Sequence, residues 1–535
     1  MSSPPPASSS SSPAQETPMP GISLGLSRIH RLLSLLSSPH TRVPVVHIAG
    51  TNGKGSVSAY LSSILSCAEP PLRVGRFNSP HLVDEWDCIR LPSSLPSRAG
   101  VLSPVREALF KQTKREVEAV SAREGVGATS FEILTATAFT LFARTEPPLD
   151  VAVVEVGMGG AEDATNVVPA SQTLLSVVTA VELDHQKFLG DTVGEIASVK
   201  AGITREGGDV VLAQQAHGEA VEAVKRIAAE RGARVWEAGV ATPLPAPSAP
   251  SSPATPDFAL PPPPLVSLPL SAVTVTPSLP SSLVSPLPPA LEAHLPLPGS
   301  YQLSNAACAV LSAQLLRTLP RTTAMVPALG EGRVSDKAIR EGVEKTKWEG
   351  RLSWLSLPAP LPLSSSATAS ATPPAHLPQR MRRLLLDGAH NPSSAALLAS
   401  YLHSLPPVLK PSTLIFALSA PRAASSVLPA LLAEGTGVRR IVCTGFFAVA
   451  GMEWVRAVPP AELAAGVVEV CREQGREDVE VLQAGTAEEA LRLLDELEEG
   501  QGGTTLAAGS LYLVADVLRV QRSVAPDDEA GGLEE

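Results

Sequence analysis

The run Gly50-Thr-Asn-Gly-Lys-Gly-Ser56 concentrates more chemistry than any other part of this chain. Its glycines let the backbone wrap closely round an oxyanion, a helix start offers free N–H groups, and Lys54 adds a cation. Thr51, Asn52, Gly53 and Gly55 supply the rest of the wall, and the Ser56 hydroxyl stands where a magnesium ion bridging phosphate oxygens needs a ligand. Such a loop is a triphosphate cradle. The general P-loop spacing places a glycine five positions before the Gly-Lys pair, and here that place is Ile48, so the loop is a variant. The plainer reading is a glycine turn with an incidental lysine. An apolar strand before the loop and a helix after it favour the cradle.

Further segments follow in order: Phe77-Asn-Ser-Pro-His-Leu82, Glu155-Val-Gly-Met-Gly-Gly160, Asp184-His185 with Leu189-Gly190 and Thr192, and Lys200-Ala-Gly-Ile203. Trp348-Glu-Gly-Arg351, Leu386-Asp-Gly-Ala-His-Asn-Pro392 and Gly509-Ser-Leu-Tyr-Leu513 come later. Read singly, Glu155 is a strand-end carboxylate, His185 a surface histidine, Lys200 a solvated lysine and Asp387 the start of a turn. Together with the loop they resemble the Mur-ligase superfamily, and within it the folylpolyglutamate synthase and dihydrofolate synthase branch. The resemblance spans roughly Gly21 to Arg519, apart from two insertions.

That resemblance implies an ATP-dependent ligase that joins glutamate to a pterin-linked carboxylate through an acyl phosphate. It implies that Ser79, Glu155 and His185 join Ser56 in holding magnesium, as one ion or two. Lys200 matches a lysine that is carbamylated by carbon dioxide in many relatives. Arg351, Asp387 and Asn305 match ATP contacts, with His390 close by in a catalytic place, although Asn305 reads equally well as a helix cap. On the pterin side the resembling segments are Thr129-Ser130-Phe131-Glu132 and Glu162-Asp163-Ala164, with Phe131 alternatively core. Two departures weaken that side: Ser23 replaces an aspartate usual in bacterial relatives, and Ala161 stands where many carry a basic residue. Asn52 resembles dihydrofolate synthases and bifunctional enzymes, whereas eukaryotic folylpolyglutamate synthases have Lys there. Dihydropteroate, L-glutamate and ATP are the substrates this favours. Folylpolyglutamate synthesis on reduced folate, a bifunctional enzyme, and a catalytically inactive nucleotide-binding homologue are the alternatives.

The elements that must position these residues alternate. A helical pattern of Leu26, Ile29, Leu32, Leu33 and Leu36 comes first, then a strand over Val43–Ala49 and a helix over Val57–Leu65. Helices over 104–122, 131–143 and 193–200 and strands over 151–156 and 174–179 follow, which predicts an α/β fold with a mostly parallel sheet. Beyond Trp354, strands over 383–386, 414–417, 440–444 and 479–483 interleave with helices over 427–434, 461–473 and 487–498. We read residues 21–346 as the ATPase domain and 347–522 as a smaller Rossmann-like α/β domain, with tails at 1–20 and 523–535. Residues 241–298 hold eighteen of the 52 prolines and no Lys or Arg, so they read as a largely unstructured insertion; 357–377 is a second low-complexity insertion.

Bulk composition excludes several classes. A net charge of −11 argues against nucleic acid as the main partner. The five cysteines show no paired spacing, which predicts neither a disulfide framework nor a zinc site. No apolar run reaches the roughly 18 residues of a membrane span. The Ser/Pro-rich start carries Glu16 as its only charge in the first twenty residues, unlike a secretory or mitochondrial leader. A cytoplasmic monomer is the expectation, with a mitochondrial pool left open.

Overall fold

Every residue of the strand Val45–Ala49 is buried, and the strand lies in the middle of a nine-stranded sheet. The structure, a computed structural model, describes residues 25–93, 100–245, 260, 262–276, 290–361, 380–447, 449, 455–497 and 503–524. The strand order is Thr274–Thr276, Arg234–Glu237, Asp209–Leu212, Thr173–Val178, Val45–Ala49, Val151–Glu155, Val74–Phe77, Ile89–Pro92 and Leu102–Pro104. The six from Arg234–Glu237 to Val74–Phe77 run parallel, and the flanking strands are antiparallel. Strands buried on both faces are mostly apolar, which is why Val-Ala-Val-Val and Thr-Leu-Leu-Ser-Val-Val read as near-continuous runs. The helices Lys54–Ser66 and Gln302–Thr318 supply one side of the core, while Ser27–Leu35, Glu107–Arg123 and Ser130–Arg144 supply another. Val193–Ala201 and Gly218–Glu230 cover the sheet's far end.

A second, six-stranded sheet follows in the order Ser353–Ala359, Arg380–Leu386, Thr504–Ala508, Pro411–Phe416, Arg440–Cys443 and Glu480–Gln483. Only its first pair is antiparallel. Apolar clusters lie on both of its faces. The fold is α/β with the architecture the motifs implied.

Three expectations need correction. The segment 241–298 is not structureless, because Thr242–Pro243, Leu265–Pro269 and Ala290–His294 form a three-stranded sheet and Thr274–Thr276 extends the main one. Val266, Leu268, Leu270, Leu291, Ala293 and Leu295 are buried in the same core as the helix Gln302–Thr318. Prolines 243 and 269 sit at strand ends, where a missing N–H costs no ladder bond. Residues 357–359 likewise continue a strand, with Leu357 buried. Gly509–Leu513, whose resemblance is to a closing strand segment of the family, is not a strand: the strand ends at Ala508, and Leu511 opens a helix that runs to Val524. The rest of both insertions, residues 1–24 and residues 525–535 lie outside the described residues.

Candidate active site

Ligands in open parallel sheets bind where the strands' carboxyl ends diverge. Four such ends meet here. Gly50 follows Val45–Ala49, Asn78 follows Val74–Phe77, Glu155 ends its own strand opposite Ile48, and Ala180 lies beyond Thr173–Val178. The N–H groups of Thr51 and Asn52 both donate to the Ala180 carbonyl, at 2.8 and 3.1 Å, which ties the loop to that neighbouring edge. Gly50 and Gly53 take φ of +147° and +92°, and a Cβ on Gly53 would strike the Asn305 side chain. Only glycine suits that backbone and that approach. Lys54 Nζ donates to the carbonyls of Gly50 (3.1 Å) and Thr51 (3.2 Å) and stands 4.0 Å from Glu155 Oε1. The lysine therefore already lies folded over the cradle.

Asn305 is not a helix cap. Tyr301 occupies the N-cap of Gln302–Thr318, and Asn305 is buried one turn inside. Its Nδ2 donates to Gln302 Oε1 (3.1 Å), and Gln302 Nε2 donates to Ser56 Oγ (3.2 Å). This amide relay fixes the hydroxyl of the phosphate loop.

Glu155 is buried, and Asn78 Nδ2 donates to its Oε2 at 2.7 Å. Burial raises its carboxyl above the ordinary range, while Lys54 and the Asn78 hydrogen bond oppose the shift. Ser79 Oγ is buried with no hydrogen-bond partner among the described residues, the state of an oxygen that a ligand would satisfy. His185 is exposed and adopts a left-handed φ of +51°; partial desolvation lowers its pKa against the pull of Asp184, favouring the neutral ring that binds metals. Ser56, Ser79, Glu155 and His185 all line one cavity of about 2420 Å³. Among the described residues no three His, Cys, Asp or Glu side chains gather as a metal site. An ion here would rest on Glu155, His185, hydroxyls and phosphate oxygens, a mostly hard donor set that fits magnesium.

Lys200 is not a solvated lysine. It is 3% exposed and its Nζ donates to the Gly50 carbonyl at 2.9 Å. Burial, and then the charge of Lys54, bring its pKa down to about 7.

From the second domain, Arg351, Asp387 and His390 line the same cavity. Asp387 is buried and already accepts from the N–H groups of Leu352 (2.8 Å) and Ala389 (2.9 Å), so it shapes its turn as well as facing the cavity. His390 Nδ1 lies 2.7 Å from the Gly388 carbonyl and must donate to it, leaving Nε2 as an acceptor. Burial and the charge of Arg422 push its pKa down to about 4, so the ring stays neutral.

The pterin-side residues also line the cavity, but several have structural employment. Thr129 and Glu132 form the capping box of Ser130–Arg144, and Glu132 also accepts from Arg28 at 3.0 Å. Phe131 stacks on Phe77, with ring centroids 6.3 Å apart. Glu162 is exposed and Ala164 buried. Asp163 is buried, and its carboxylate accepts from Met158 N, Thr165 N and Thr165 Oγ1. Because the Thr165 hydroxyl gives its proton to Asp163, it must accept from His47 Nε2, 2.8 Å away in the central strand. Thr165→Val would leave that buried N–H unsatisfied, at a cost of about 1–3 kcal/mol. Melts should show the loss, with KM for the pterin substrate rising more than KM for ATP, and Thr165→Ser should restore both.

Sequence reasoning passed over Arg76 and Arg422, which sit outside the motifs, and Gln302, which lies within Gly299-Ser-Tyr-Gln-Leu-Ser-Asn305 but was not singled out. Gln302, three residues before Asn305, carried a helical-spacing signal; the lone arginines carried none.

Residues 374–520 match the family model for the dihydrofolate synthetase C-terminal domain. The chain is 29% identical to a probable dihydrofolate synthetase of Schizosaccharomyces pombe, over 93% of this chain and 98% of that one. It is 28% identical to the dihydrofolate synthetase of Saccharomyces cerevisiae, over 94% and 99% of the two chains. A Mycobacterium tuberculosis folylpolyglutamate synthase, solved with ADP and AMPPCP, superposes with a TM-score of 0.66 at 25% identity, covering 94% of this chain and 96% of that one. With the cradle, the buried glutamate and the two-sheet architecture already in place, the chain is similar along nearly its whole length to dihydrofolate synthetases and to a folylpolyglutamate synthase, which are ATP-dependent, amide-forming ligases.

Proposed function

We propose that this chain is a dihydrofolate synthase, joining L-glutamate to 7,8-dihydropteroate at the expense of ATP. The observation that carries the reading is the meeting of the loop 50–56, Ser79 and Glu155 at adjacent strand ends, on a cavity that Phe131 also lines. The substrate assignment rests on Asn52 and on the near full-length similarity to two dihydrofolate synthetases.

A carboxylate is a poor electrophile, so its oxygen first attacks the γ-phosphorus of ATP and ADP leaves. The glutamate amine then attacks the acyl carbon, loses a proton, and phosphate departs. Lys54 and the loop N–H groups hold the β- and γ-phosphates during the first step. Ser56, Ser79, Glu155 and His185 would hold a magnesium ion, which would supply neutralisation of phosphate charge. Lys200, near its neutral form, reacts with carbon dioxide to give a carbamate that orients the acceptor or a second ion. Arg351, Asn305 and Asp387 contact the nucleotide, and neutral His390 is placed to accept a proton. Glycines at the cradle let Trp348, at the junction of the two sheets, lie against Gly55. That contact suits closure around a hydrolysable acyl phosphate.

A monomer in the cytoplasm is the working unit we propose. Among the described residues, no helix is long and apolar enough to cross a membrane. The test is a comparison of dihydropteroate with tetrahydrofolate, each with glutamate and ATP, scoring phosphate release and product mass. Turnover on dihydropteroate alone is the expected result. Turnover on tetrahydrofolate alone would make the chain a folylpolyglutamate synthase, the second reading, and nucleotide binding without either product would make it an inactive homologue.

A further inference from the structure

Arg76 of the strand Val74–Phe77 is the direct register partner of Arg90 of the antiparallel strand Ile89–Pro92. Opposed residues project to one face of a sheet, where like charges repel. Arg76 is 5% exposed. Its guanidinium lies 5.1 Å from the centroid of the Trp348 ring, and Nη1 donates to Ser62 Oγ at 3.3 Å. Its Nε is buried and meets no acceptor among the described residues. Glu155 and Glu349 attract it, but burial and the charge of Arg90 outweigh them and hold its pKa down at about 9. Neither arginine forms a salt bridge among the described residues. A buried cation without a salt-bridge partner is a costly arrangement. Trp348 accounts for one face of Arg76, yet it leaves Nε and the opposed Arg90 unexplained. Both arginines line the large cavity, so a solute can reach them.

We propose that Arg76 and Arg90 form a subsite for a small oxyanion, phosphate or carboxylate, beneath Trp348 and separate from the phosphate loop. The site needs only charge and shape, so it stands or falls independently of the ligase reading. Its two natural sources would be the phosphate that an acyl-phosphate reaction releases and the carboxylates of glutamate.

The experiment uses the full chain carrying Lys54→Ala, without nucleotide, titrated with inorganic phosphate by calorimetry and followed by thermal melts. One phosphate per chain should still bind. Adding Arg90→Gln should weaken it by about tenfold or more, the worth of a charge-assisted hydrogen bond. In phosphate-free buffer the Arg90→Gln protein should melt at least as high as its parent, because a repulsion has been removed, and phosphate should no longer raise its Tm. An Arg90 with a merely structural role would instead lower the melt. Displacement of phosphate by L-glutamate would assign the site to the carboxylate, and no displacement would assign it to phosphate. Loss of phosphate binding with Lys54→Ala alone, or its survival in Arg90→Gln, would overturn the proposal.

Discussion

Lys54→Ala should lower turnover with dihydropteroate, glutamate and ATP by about 10²–10³-fold or more, the scale of losing one preorganised charge stabiliser. The ammonium is held by two carbonyls of its own loop, so it is aimed before ATP arrives and spends little reorganisation during phosphoryl transfer. Its removal has a second effect. Lys54 is the largest influence holding the buried Glu155 carboxyl down, so without it the carboxyl should rise further toward the protonated form. The variant should therefore lose affinity for the divalent ion as well as kcat. Lys54→Arg keeps the charge but not its compact shape, and should fall between the two. Purified, folded Lys54→Ala with near-normal phosphate release would remove the loop from the mechanism.

Lys200→Met should abolish most turnover, by about 10²-fold or more if the side chain organises charge at the reacting centre. Its pH signature has a definite sign. The folded pKa of about 7 lies below the ordinary 10.5, so between those values the unfolded chain binds the extra proton and stability rises with pH. Below about pH 7 both states are protonated, and the fold bears the full penalty of a buried ammonium. Methionine carries no such penalty. The Tm of Lys200→Met relative to the parent should thus be highest near pH 6 and decline toward pH 9. In the parent, kcat should climb through neutrality and respond to bicarbonate, since only the neutral amine takes up carbon dioxide. A pH-independent Tm difference would show that Lys200 is not buried as a titrating group.

The residues that the sequence singled out and the structure brings to one cavity are those whose chemistry dictates residue type at a strand end: Gly53, Lys54 and Gly55 of the cradle, Glu155, Ser79. What it read poorly followed from weaker constraints. Thr129 and Glu132 form a Thr-x-x-Glu capping box, a local signal in plain view, but the pterin resemblance drew attention to the cavity instead. Asp387 was legible as a turn residue and proved to be one while also facing the cavity. Arg76 sits in a strand of four residues, too short to show which face its side chain takes. The strands inside 241–298 were hidden by their prolines, although Leu265-Val-Ser-Leu-Pro269 alternates as a half-buried strand should.

Those strands bear on how such a gene can be trimmed or lengthened. Because Val266, Leu268 and Leu291 seal the back of the helix that delivers Gln302 and Asn305 to the cradle, excising the whole stretch would unroof the nucleotide's own support. Changes of chain length should be tolerated only between the strands Thr242–Pro243, Leu265–Pro269, Thr274–Thr276 and Ala290–His294, since loop length itself costs little.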